Sequence, residues 1–167
     1  MAPTDRSRRR EVPVAGLASA LTLLDSAQRG LAEAAGAAHP VDRYAAAHLA
    51  ALRTAAAVLA VRAHPAGSRR RPRSAWEMLA QVAPELGEWA SFFAAGAGKR
   101  AAAEAGLSRA VSTREADDLL RDAQTFLALV ETHLGLTPSV PAPVPVPAPA
   151  SASAGSRPSH AAASVPA

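Results

Sequence analysis

Apolar residues recur every three or four positions through most of this chain, the period of helices with one buried face. From Val14 they fall at Leu17, Leu21, Leu24, Ala27 and Leu31, which predicts a first helix stopped near Gly36. The second is expected to open at Pro40, where proline suits the first helical position and Asp42 favours the first turn. Its expected buried stripe is Ala45, Leu49, Leu52, Ala56 and Leu59, and His64-Pro65-Ala66-Gly67 ends it.

Ser74-Ala75-Trp76-Glu77 has capping-box spacing and should start a third helix that buries Trp76, Leu79, Val82, Leu86, Trp89 and Phe93. Pro84 lies inside it and predicts a kink or a split. Gly96 and Gly98 are expected to close it, with a loop from Lys99 to Val111 holding at most one helical turn. A second capping box, Ser112-Thr113-Arg114-Glu115, launches a fourth helix with the stripe Ala116, Leu120, Ala123, Leu127, Val130 and Leu134, stopped by Gly135 and Pro138. Four such helices with short connections describe an all-α antiparallel bundle, in which small alanines let neighbours approach closely. The domain is expected to span residues 12–136. Residues 1–11 form a polar, basic head without apolar period. Residues 137–167 form a Pro/Ala-rich tail that can bury little and reads as a polyproline-like spacer passing into flexible coil.

Composition narrows the chemistry. The chain has no cysteine, which excludes disulfides, thiolate metal sites and cysteine nucleophiles and fits a reducing cytoplasm, the expected location. The net charge of +4 is uneven: residues 12–136 carry 13 Arg and Lys against 12 Asp and Glu, and the rest of the excess comes from the head, with Arg6, Arg8, Arg9 and Arg10 against Asp5 and Glu11, and from Arg157 in the tail. A high isoelectric point of this origin argues little for nucleic acid. The basic head before VPVAGLASALTLL has the outline of an export signal, and Ser7-Arg8-Arg9 part of a twin-arginine motif. Glu11 interrupts the basic run, however, and the apolar stretch continues as a core helix. No window reads as long and apolar enough to span a bilayer, and no membrane partner is expected.

The second helix opens with Arg43-Tyr44-Ala45-Ala46-Ala47-His48, an arginine and a histidine with four residues between them. Together with the helix order and the segment SAWEMLAQVAPELGEWASFFAAGA, this stretch resembles the HEPN superfamily (higher eukaryotes and prokaryotes nucleotide-binding), in particular small stand-alone actinobacterial members, over roughly Val12 to Leu136. The resemblance implies RNA or nucleotide as ligand and metal-independent RNA cleavage by a homodimer. His48 would be the acid or base and Arg43 the phosphate holder, roles suited to imidazole and guanidinium. Two features depart from the family's usual pattern. Tyr44 follows the arginine where a polar residue is usual, and the motif lies early in the domain. At the corresponding late position Arg121-Asp122 begins a similar pattern, but Phe126 occupies the histidine position. Residues five apart on a helix also differ by about 140° in direction. On the expected stripe, His48 borders the buried face beside Tyr44 and Arg43 points away from it.

That geometry keeps a second reading open: a catalytically inactive helical module that docks a protein partner. A third is nucleic-acid binding through Arg69, Arg70, Arg71 and Arg73, a basic loop next to a helix start, although no aromatic residues flank it for base stacking. Of the aromatic residues, Trp76, Trp89 and Phe93 are expected in the core and Phe92 on the surface. His39, His64, His133 and His160 are scattered, and Asp118 and Asp122 share a helix face but fall short of a ligand set, so neither metal nor cofactor is expected.

Overall fold

In a computed structural model of the chain, residues 14–62 and 74–136 are described. They form α1 (Val14–Gly36), α2 (Pro40–Arg62), α3 (Ala75–Val82), a 3-10 turn (Pro84–Leu86), α4 (Gly87–Glu104) and α5 (Thr113–His133), with no strand among the described residues. The basic head, the Pro/Ala tail and the cluster Arg69, Arg70, Arg71 and Arg73 lie outside them. The all-α bundle is as expected, and the third helix is divided at Pro84 into α3 and α4.

Helix α2 is the centre of the bundle, packed by α1, α3, α4 and α5. Its buried residues are Tyr44, Ala47, His48, Ala50, Ala51, Thr54, Ala55, Ala57 and Val58. The expected stripe of Ala45, Leu49, Leu52, Ala56 and Leu59 is only half-buried, so the inward face is rotated from the one that leucine spacing suggested. The reason is steric. A helix hemmed in on several sides gains more from small residues that bring backbones together than from leucines that hold them apart. Gly16 of α1 shows how close the approach is, because a β-carbon there would stand 2.5 Å from the Ala60 carbonyl oxygen of α2. This packing also tightens α1: Leu24, Ala27 and Leu31 are buried as expected, whereas Leu17 and Leu21 are exposed and Ala20 and Ala34 take inward places.

By length and composition α2 is apolar enough to cross a membrane, with a mean hydropathy of 1.5, which corrects the reading that no segment reaches that threshold. Half of this apolar window is buried inside the bundle. Its hydropathy comes from the alanines that the close packing requires.

Leu79, Leu86 and Phe93 are fully buried around the Pro84 break and Trp76 nearly so, with Val82 and Trp89 half-buried against them. Gly96 and Gly98 do not end the helix. Helix α4 runs through both to Glu104 and stops at Gly106, whose φ of +79° lets the Leu107 amide reach the Ala102 carbonyl and its own amide the Ala103 carbonyl. The expected loop is therefore helix from Lys99 to Glu104 and irregular from Ala105 to Val111. Helix α5 begins in the full capping box of Ser112 and Glu115 and ends at Gly135, φ +71°, with the Leu136 amide on the Glu131 carbonyl.

The two misread glycines differ in what surrounds them. A β-carbon on Gly96 would meet the Tyr44 hydroxyl at 2.8 Å and His48 Cδ2 at 3.3 Å, while nothing lies within 4 Å of Gly98. Gly96→Ala is expected to destabilise the fold by about 1–3 kcal/mol through overpacking. Gly98→Ala should stabilise it by about 0.5–1 kcal/mol, since an exposed helical glycine only costs entropy. Urea unfolding of the two variants gives both signs directly.

Candidate functional site

The first three turns of α2 carry Arg43, Tyr44 and His48, and each side chain meets a different part of the bundle. Arg43 reaches back to the end of α1, where Nε and Nη2 donate to the carbonyls of Ala34 (3.3 Å) and Ala37 (2.8 Å). Its Nη1 pairs with Asp117 of α5 at 2.6 Å. Only 19% of this side chain remains exposed. The guanidinium thus helps close the C-terminal end of α1, where the Ala34 oxygen also accepts from the Ala37 amide at 3.2 Å, and fastens it to α5 near the start of that helix.

His48 is 1% exposed. Its Nε2 lies 2.9 Å from the Phe93 carbonyl oxygen of α4. A carbonyl only accepts, so Nε2 carries the proton and Nδ1 is left with the lone pair. That Nδ1 is buried with no hydrogen-bond partner among the described residues. The ring stacks on Tyr44 and meets Trp76 and Phe93 edge to face, with centroids 5.9 and 6.0 Å away. Burial pushes the imidazole pKa below its usual value, and the Phe93 carbonyl offsets this in part. A base of this kind holds two helices together but offers no lone pair to a molecule in solution.

The late motif position is similar. Phe126 is fully buried between Trp89 and Phe93. Arg121 and Asp122 instead line an open cleft of about 450 Å³ with Tyr44, Phe92, Lys99, Glu115, Asp118 and Leu119. Both cations of the cleft are engaged, Lys99 by Glu115 and Arg121 by Asp118. The Lys99 ammonium and the Ser112 cap hold the Glu115 carboxyl down to about 2. Burial and the Asp118 charge push Asp122 upward. Phe92 stands 46% exposed at the rim, the surface aromatic the spacing predicted.

Sequence spacing found Arg43, His48 and Phe92 but not their partners. Asp117 lies 74 residues from Arg43, and no local signal links them. Gly96 was visible but read as a helix stop; a mid-helix glycine facing an aromatic cluster is the sign of close backbone approach.

These features define an all-α bundle with a buried histidine and a mixed-charge cleft lined by α4 and α5 and by Tyr44 of α2. The SAV_6107-like HEPN family matches residues 34–131, and the chain belongs to the HEPN family. No curated protein and no solved structure matches the chain.

Two predictions follow the bonding. Arg43→Ala is expected to cost about 1–3 kcal/mol, because it takes the guanidinium donor from the Ala37 carbonyl, breaks the tie to Asp117 and leaves the Ala34 oxygen with the Ala37 amide alone. Asp117→Ala should cost less than about 1 kcal/mol, since that carboxylate is half-exposed. Equal losses in denaturant titrations would contradict this division. For His48, the fold favours the neutral ring, while an unfolded histidine protonates near pH ~6.5. The stability it confers is therefore complete above that pH and lost as pH falls below it. Wild type should weaken between pH 7.5 and pH 5.5 more than His48→Gln does, as read from unfolding midpoints.

Proposed function

We propose that this chain is a HEPN domain that works as a binding module for a protein partner, without ribonuclease activity of its own. The observation that carries this reading is the closure of His48: its Nε2 is occupied by the Phe93 carbonyl and its Nδ1 faces no solvent. General acid–base catalysis needs the group within hydrogen-bond reach of the proton it moves. Arg43 supports the same reading, since each of its three nitrogens already donates within the fold, to Ala34, Ala37 and Asp117, and the side chain is largely buried. The cleft suits a polypeptide better than a polyphosphate. Its cations are already neutralised, three carboxylates face it, and Phe92 gives it an apolar rim.

The test is incubation of the purified chain with mixed single-stranded RNA in EDTA, beside Arg43→Ala and His48→Gln variants whose folding is verified by circular dichroism. Wild type and variants are expected to leave the RNA intact alike. Cleavage by the wild type that both substitutions abolish would establish the ribonuclease reading and refute this one.

A further inference from the structure

Tyr44 of α2, Phe92 of α4 and Asp122 of α5 reach the same open cleft of about 450 Å³, and the fold leaves each of them unmatched. Tyr44 is only 6% exposed, yet its hydroxyl makes no hydrogen bond among the described residues. A β-carbon on Gly96 would stand 2.8 Å from that hydroxyl, and the charges of the cleft residues Lys99 and Glu115 act on it, so it points into the cleft. Burial raises its pKa, and the phenol stays neutral. Phe92 is the one aromatic ring among the exposed large hydrophobic residues described. Contacts with Trp89 and Phe93, at 6.3 and 5.0 Å between centroids, hold it at the rim. Asp122 is in no ion pair among the described residues, whereas Asp118, one turn earlier, takes both Arg114 and Arg121. Burial and the Asp118 charge raise the Asp122 pKa, and a cation beside it would relieve both effects.

What stays free in the cleft is therefore a π face, a carboxylate and a phenol oxygen. The two cations, Lys99 and Arg121, are held by Glu115 and Asp118, so an anionic ligand would have to break those pairs and would meet three carboxylates. We infer that the cleft receives an arginine side chain of a partner polypeptide, its guanidinium stacked on Phe92, paired with Asp122 and donating to the Tyr44 oxygen.

The chemistry of that group matches each feature. Guanidinium is planar, always charged and weakly hydrated, and it stacks on an aromatic face while its edge donates to a carboxylate. Its five N–H groups leave one for Tyr44. Leu119, 4% exposed and three residues before Asp122 on the same face of α5, gives the aliphatic stem an apolar wall. A lysine ammonium is a compact, strongly hydrated point charge, which pairs with Asp122 but presents no flat face to Phe92. The inference rests on the reading of the chain as a binding module and names the side chain that the module reads.

The probe is the blocked peptide acetyl-Ala-Arg-Ala-amide, titrated into the isotope-labelled full chain and followed by amide NMR signals. The signals of Phe92, Leu119 and Asp122 are expected to shift saturably, with a Kd of about 1–10 mM for so small a ligand. Asp122→Asn, an isosteric change at a half-buried position, and Phe92→Ala should each weaken binding at least ~fivefold, and Tyr44→Phe about twofold. The same peptide with citrulline keeps the shape without the charge and should bind at least ~fivefold more weakly; with lysine, about threefold. No shift at ~50 mM peptide overturns the inference. So does equal affinity for the citrulline or lysine peptide, or an Asp122→Asn variant that keeps its folded spectrum and binds like wild type. Inorganic phosphate that shifts the same amides more readily than the peptide makes the cleft an anion site and also overturns it. The two readings fail separately: these results overturn the arginine and leave the binding module standing, whereas RNA cleavage in EDTA overturns the module.

Discussion

The close approach of α2 to its neighbours is the constraint on which the rest of this structure depends. Gly16 touches the Ala60 carbonyl on one side, and Gly96 admits Tyr44 and His48 on another. Helices this near to each other exclude large residues from the contact, so alanines fill the inner face of α2 and the leucines move to its flanks. Dispersion contacts between closely placed backbones replace the area burial that larger side chains would supply. One consequence is a helix with the hydropathy of a membrane span at the centre of a bundle that contains it. Another is that the few large residues collect between α3, α4 and α5, where Trp76, Trp89, Phe93 and Phe126 pack ring against ring.

The polar groups buried in this frame act as ties between helices. His48 joins α2 to the Phe93 carbonyl of α4, Arg43 joins the ends of α1 and α2 to α5, and Gln28 with Glu131 joins the middle of α1 to the end of α5. At the opposite end of α2, Glu85 receives both Arg62 and His133. Each tie satisfies a group whose burial would otherwise be costly, and each fixes how one helix lies on another. An arginine and a histidine in a HEPN chain can therefore occupy the spacing of a catalytic motif and be held by cohesion of the fold. Motif spacing is a property of the sequence, whereas access to a substrate is a property of the packing.

What the sequence determined by itself was local. Helical periodicity, the N-cap at Ser74, the capping box at Ser112, the division at Pro84 and the glycine stop at Gly135 all act within a few residues, and the structure follows each of them, although at Ser74 only the serine half of the expected box is formed. The resemblance to the HEPN family was legible from the same helix order, and the matching region covers residues 34–131. What only the tertiary structure decided were matters between helices: which face of α2 turns inward, that α4 passes through Gly96 and Gly98, and what holds Arg43 and His48. The physical reason is that periodicity shows that a helix has a buried face, while the identity of that face follows from how closely its neighbours approach. A glycine that permits close approach and a glycine that ends a helix look alike along the chain. They separate only when another helix is beside them.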